Sequence, residues 1–387
     1  MENFKQFINT IKQIGIGFLV LFLLILNDSC NSQVKENPKK DFQIIAYYAG
    51  NGNDLERYNW EQITQVIFSF CHLKGDQLSV DNAQDSLAIH NLVNLKKKYT
   101  DLKVLLSLGG WGGCKECSTV FSTQSGIENF VQSVNQLTKL YNTDGIDLDW
   151  EYPAIKGFPD HPYSVEDRPN FTKLVVALRK ELGEKVLISF AAGGFENYFE
   201  NAIEWDKVGP YIDYINLMSY DIVGGYSKVT GHHTPLYSNP NQQGSADFGV
   251  QYLKKLGVDS SKIILGAAFY GRSWKEVDST NNGLYQSGVF KSFIPHHRFE
   301  STLNNENGFV FYRDSISKAP YAYSEKLNEF ATFDDVISLA KKTNYALEQD
   351  LGGIMFWQLT DDYSNGALLS SIWKTKNQQK TAKKGEN

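Results

Sequence analysis

The sequence predicts an α/β protein, a (β/α)8 TIM barrel carrying a small inserted α+β subdomain. Two observations lead there. Eight short apolar, β-branched segments recur with amphipathic stretches of helical period between them, and one interval, Ser273 to about Thr332, holds far more chain than a strand-to-helix loop needs.

The eight candidate strands are, in order, FQIIAYYAG from Phe42, QVIFSF from Gln65, KVLLSLGG from Lys103, DGIDLDWE from Asp144, KVLISFAAG from Lys185, YINLMSYD from Tyr214, KIILGAAFYG from Lys262 and GGIMFWQL from Gly352. Most are continuous apolar runs, the pattern of strands buried on both faces by flanking helices. Between them, Ser86–Tyr99, Ile127–Tyr141, Arg168–Leu182, Ala246–Gly257 and Phe333–Asp350 place apolar residues three and four apart, and several end in Lys or Gly as helices do. An open doubly wound sheet would show the same alternation, but no GxGxxG opens the first helix, so the closed barrel ranks first. Within the long interval, GFVFYRDSISKAPYAYS reads as short strands and turns, which makes 273–331 the inserted subdomain.

The barrel is expected over 42–373, followed by a basic, polar tail, 374–387, that reads as disordered. Residues 1–29 read as an export signal: Lys5 and Lys12 precede an apolar run from Ile14 to Leu26 that is short for a bilayer span. Asn27, Asp28, Ser29 and then Cys30 follow it, an arrangement similar to a bacterial lipoprotein signal. That similarity implies lipidation of Cys30, a linker over 30–41, and a protein held at the outer membrane or cell surface, or otherwise secreted or periplasmic. The membrane enters only through this lipid.

Net charge is −6 with acids and bases dispersed, which leaves no basic face for nucleic acid. Of the remaining cysteines, Cys114 and Cys117 form a lone CxxC without the second pair a zinc site requires. A local disulfide between them suits an oxidising compartment, with Cys71 unreacted at a strand end. The adjacent pairs His232–His233 and His296–His297 are poorly placed to chelate one ion, and neither metal nor cofactor is expected.

The fourth candidate strand carries the chemistry. Asp147, Asp149 and Glu151 alternate with Ile146, Leu148 and Trp150, so the three carboxyls share one face, successive ones about 6.6 Å apart along the strand. They approach the strand's C-terminal end, where barrel enzymes keep their active sites. At an effective dielectric near 20, two charges at that spacing repel by about 2.5 kcal/mol, so at least one proton is retained near neutrality. Glu151, last in line and longest, is placed to act as a general acid. A hydrogen-bonded structural cluster and a divalent-cation site are the alternative readings. Three acids on one barrel strand are costly as mere packing.

DGIDLDWE resembles the DxxDxDxE signature of family 18 glycoside hydrolases, the chitinases and their relatives. SLGGW, Ser107 to Trp111, is similar to that family's SxGG motif, and MSYD, Met218 to Asp221, AFYGR, Ala268 to Arg272, and GGIMFWQ, Gly352 to Gln358, match its later strand-end motifs in order. The resemblance implies a retaining reaction in which the substrate's own 2-acetamido oxygen attacks the anomeric carbon. It makes Glu151 the acid and then the base, and turns Asp149 to the acetamido N–H. Asp147 stands behind them with Ser107 and Tyr47, and Tyr220 donates to the acetamido oxygen. It also implies that Trp357 floors the sugar next to the scissile bond, with Trp111, Met218, Asp221, Tyr270 and Arg272 lining the cleft and the loop Thr230–Tyr237 lining substrate. Where the family commonly carries a Trp after the strand-six motif, this chain has Tyr226.

The activity so implied is hydrolysis of β-1,4 N-acetylglucosamine linkages in chitin and chito-oligosaccharides, by a chain acting as a monomer. An endo-β-N-acetylglucosaminidase acting on N-glycan cores needs the same acids, but the insertion marks the deep-cleft branch and favours chitin. A non-hydrolytic chitin-binding lectin of the same fold typically lacks the last acid of the signature, and Glu151 is present.

Overall fold

The computed structural model describes residues 41–363 and 365–385. The export signal, Cys30 and the linker up to residue 40 lie outside them. Eight parallel strands form the barrel: Gln43–Tyr48, Gln65–Lys74, Lys103–Gly109, Gly145–Asp149, Leu187–Gly193, Tyr214–Met218, Ile263–Ala268 and Gly353–Trp357. Each pairs with its neighbour in sequence, and the first pairs with both the second and the eighth, Ile45 opposite Met355, which closes the ring.

Alternation divides the core in two. One parity points inward, where Ile45, Tyr47, Ile67, Leu105, Tyr214, Ile264 and Met355 fill the barrel. The other parity, including Ile44, Val66, Leu106, Ile146, Ile188, Ile215 and Ile354, packs beneath the helices. A strand buried on both faces must be apolar throughout, which is why these runs lack polar alternation.

All five predicted helices are present, as Ala83–Leu95, Gln124–Tyr141, Asp167–Leu182, Ala246–Lys255 and Val336–Glu348. Four of their starts are fixed by side chains that accept from the first free backbone N–H groups: Asn82, Thr123, Ser245 and Asp335. Strict alternation fails twice. After the first strand there are only the single-turn 3-10 segments Leu55–Arg57 and Trp60–Gln62, in a stretch rich in Asn, Asp and Gly that favours turns. After the fifth strand the helix is broken into Glu196–Asn201 and Trp205–Val208.

Two expectations are corrected. KIILGAAFYG is two strands, because the seventh barrel strand ends at Ala268 and the chain enters a second sheet at Tyr270. The insertion therefore spans Tyr270 to Phe333, as a five-stranded antiparallel sheet ordered Val289–Pro295, Tyr270–Lys275, Glu329–Phe333, Pro320–Ser324, Phe309–Arg313, with the short helix Phe299–Thr302. The tail is also not disordered up to Gly385, for the last helix runs Ala367–Gly385. Leu368, Leu369 and Ile372 bury its first turns, and no Gly or Pro follows before Gly385 to stop a helix once nucleated. Thr375, itself buried, donates to the Ser371 carbonyl at 2.8 Å, and Lys376 lies over the Phe42 ring.

Candidate active site

At the C-terminal mouth of the barrel a cleft of about 1000 Å³ opens between the strand-end loops and the insertion. Nine predicted residues line it: Trp111, Asp149, Glu151, Met218, Tyr220, Asp221, Tyr270, Arg272 and Trp357. The other three predicted positions, Tyr47, Ser107 and Asp147, are buried below its floor.

Asp147 is the anchor. It is fully buried, and its carboxylate accepts from Ser107 Oγ at 2.8 Å, Tyr47 OH at 3.1 Å, Ser189 Oγ at 2.6 Å and Asn216 Nδ2 at 3.0 Å. Strand register supplies two of these donors directly, since Asp147 lies opposite Ser107 on one side and Ser189 on the other. Burial pushes the Asp147 carboxyl above its ordinary value, and the hydrogen bonds pull against that shift.

Asp149 differs in having no partner for its buried Oδ1. Burial first, and then the charges of Glu151 and Asp147, push its carboxyl well above the usual range. Glu151 stands two residues beyond the strand's end and is partly open to the cleft. Burial pushes it up to about 7, opposed by a hydrogen bond with Tyr152 and reinforced by the charge of Asp221. A proton is therefore held near neutrality, as the spacing predicts, but loss of hydration contributes more to this than repulsion between the acids.

Opposite the acids, Asp221 takes a left-handed backbone, φ 56°, and binds Arg272 through two hydrogen bonds of 2.8 and 2.6 Å. Burial would raise its carboxyl, yet the hydrogen bonds from His233 and Arg272 outweigh it and hold Asp221 well below the usual carboxylate range. The Arg272 guanidinium also lies over the rings of Tyr270, Phe290 and Phe293. The Tyr220 hydroxyl sits inside the mouth, 3.8 Å from Met355 Sδ. Trp357 stacks on Phe70, centroids 5.5 Å apart and planes 15° apart, so one face of its indole is already covered. Trp111 is 47% exposed at the rim, with Tyr226 at 6.4 Å.

The glycines of SLGG have a steric cause. Gly109 has φ +107°, and a Cβ there would fall 2.4 Å from the Asp149 carbonyl oxygen; one on Gly110 would fall 2.4 Å from the Phe70 ring. The strand ends beside the acids can therefore pack this closely only without side chains. Cys114 Sγ would lie 3.1 Å from that same Gly109 Cβ, and Cys114 is bonded to Cys117 in the expected disulfide, with Cys71 free and buried.

One predicted element is displaced. Thr230, Gly231, His232, His233 and Thr234 are buried beneath the cleft, because His232 and His233 turn to the carboxylates of Asp314 and Asp221. The cleft wall is formed further along the loop by Gln242, Gln243 and Gly244. Sequence reasoning missed Ser189, Asn216, Tyr152 and Phe70. Asn216 shares its inward parity with Met218 and Tyr220, a usable signal; Tyr152 lies past the strand, where parity stops carrying information.

An acid-floored, aromatic-lined cleft at the C-terminal mouth of a (β/α)8 barrel defines a glycoside-hydrolase type of protein. The model of the Glycosyl hydrolases family 18 matches residues 43–362, and the chain belongs to that family. Chitinase A1 of Niallia circulans is 33% identical over 298 residues, 71% of this chain and 42% of its own. The oviduct-specific glycoprotein of Papio anubis is 31% identical over 329 residues, 80% of this chain and 51% of its own. The chain thus spans about half the length of these relatives. Among solved structures, a glycoside hydrolase family 18 N-acetylglucosaminidase from Paenibacillus barengoltzii superposes with a TM-score of 0.78 at 32% identity, covering 87% of this chain and 100% of that one.

Proposed function

We propose that the protein is a chitinase that hydrolyses β-1,4 linkages between N-acetylglucosamine units of chitin and chito-oligosaccharides with retention, using the substrate's acetamido group as nucleophile. The observation that carries this reading is Glu151, a carboxyl on the cleft floor that keeps its proton to about pH 7 beside a buried Asp149 with an unpartnered oxygen.

In the first step Glu151 gives its proton to the glycosidic oxygen as the bond to the anomeric carbon breaks, and the acetamido oxygen bonds to that carbon from the opposite face. Tyr220 donates to the acetamido oxygen. The free Oδ1 of Asp149 accepts from the acetamido N–H, which offsets the positive charge of the oxazolinium ion. Asp147, held by four donors, keeps a fixed negative charge behind Asp149. In the second step the Glu151 carboxylate takes a proton from water, whose oxygen bonds to the anomeric carbon and reopens the ring. Trp357 floors the reacting sugar, and Met218, Asp221, Tyr270, Arg272 and Trp111 line the path of the chain.

The test is to incubate the protein with an N-acetylglucosamine pentamer and with a high-mannose glycoprotein and to weigh the products. Pentamer cleavage that falls by roughly two to four orders of magnitude in Glu151→Gln, with binding retained, is the expected result. Release of the protein-linked glycan alone would instead support an endo-β-N-acetylglucosaminidase. Binding without cleavage of either would make the protein a lectin.

The proposed setting is outside the cytoplasm, with a lipid on Cys30; the Cys114–Cys117 disulfide suits such a compartment. Acyl-chain label is expected on the wild type and absent from Cys30→Ala.

A further inference from the structure

Gln242, Gln243 and Gly244 form one wall of the cleft, yet they lie in a segment, Asn239 to Ser245, that belongs to no helix or named strand. Backbone without regular pairing is placed by its side-chain partners. Here the partners lead away from the barrel. The Gln242 amide is committed to main chain, accepting from His232 N at 2.9 Å and donating to His232 O at 2.7 Å and to Gly244 O at 3.3 Å. His232, fully buried, sets its Nε2 3.1 Å from Asp314 Oδ2, and the same oxygen accepts from Asn239 Nδ2 at 3.1 Å.

Asp314 belongs to the insertion, just after its strand Phe309–Arg313. Its other oxygen accepts from the backbone N–H groups of Ile316 and Ser317 at 2.7 and 3.1 Å, so the carboxylate cannot swing. Two further insertion groups grip Asn239: Ser317 Oγ at 2.7 Å and Tyr285 OH at 2.5 Å. The segment is thus held from both ends by one carboxylate. With Gln242 committed to His232, Gln243 is the exposed polar residue of this wall.

We infer that Asp314 is a positioning residue for substrate: from the insertion, through His232 and Asn239, it fixes the Gln242–Gly244 wall so that Gln243 meets the amide and hydroxyl groups of sugars beyond the chitobiose unit at the cleaved bond. This rests on the glycosidase reading and adds a determinant of chain-length preference to it. Asp314 does not line the cleft, and its removal acts on the wall, leaving the acids in place.

The experiment compares Asp314→Ala, Asn239→Ala and Gln243→Ala with the wild type in the full chain, on a chitobiose aryl glycoside and on an N-acetylglucosamine hexamer. The expected result is a KM for the hexamer raised about five- to tenfold in all three, with kcat on the aryl glycoside within twofold of wild type in Asp314→Ala and Asn239→Ala. Gln243→Ala breaks none of the clamp's contacts and serves where Asp314→Ala folds poorly. Unchanged hexamer KM in Gln243→Ala, or equal losses on both substrates in the clamp variants, would overturn the inference. If the wild type cleaves neither substrate, the glycosidase reading fails; hexamer affinity by calorimetry then decides alone, an equal affinity in Gln243→Ala and wild type again overturning the inference.

Discussion

Glu151 has to keep a proton where its unfolded counterpart, with an ordinary value of 4.5, has lost it. Burial raises it to about 7, so the acid form is present below that pH and is lost as pH rises through it. The kcat/KM for an oligosaccharide should therefore decline above about pH 7, tenfold per pH unit, and a pH–rate profile reads the limb directly. An alkaline limb far from this value would show that another group donates the proton. The three acids are legible in the sequence because period-two spacing on one strand needs no knowledge of the rest of the chain. Ser189 and Asn216 are not legible in that way: each is one polar residue in an apolar run, and its purpose appears only when the ring brings it to Asp147. The same holds for Gln242, whose partner is a main chain ten residues away.

At the scale of elements, the strands were readable because burial on both faces leaves one kind of composition, and the five periodic helices because a helix on a barrel has one wet face. The segment after the first strand was not, since short 3-10 turns have no period to detect. Nor was the break at Phe269, where two strands of different sheets abut without a turn signal and read as one run. The third and fourth strand ends form a unit whose tolerance is set by glycine. Gly109→Ala would place a Cβ against the Asp149 carbonyl at a positive φ, costing about 1–3 kcal/mol in backbone conformation alone and displacing Asp149. Activity is expected to fall at least tenfold while the variant still melts cooperatively; retained activity would show that the Asp149 turn has room to shift.

For the whole molecule, barrel and insertion divide the labour. The barrel positions charge: Asp147's donors come from the first, third, fifth and sixth strands, so no single βα unit builds the site. The insertion supplies part of the walls, through Tyr270, Arg272, Phe290 and Phe293, and its own extent was legible only as surplus length. Removal of the eighth strand, by ending the chain at Asp350, should abolish the cooperative unfolding transition, because Ile45 and Met355 then lose the pairing that seals the interior. A sharp thermal transition in that truncated chain would show that seven strands suffice.

The strand that closes the ring is also the last one to be synthesised. A chain emerging N-terminus first from a ribosome already carries Asp147, Asp149 and Glu151 while the stave that covers Tyr47 and brings Trp357 is still missing. On the glycosidase reading, a nascent chain that still lacks this strand is expected to be inactive, because its cleft has neither the sealed floor nor Trp357.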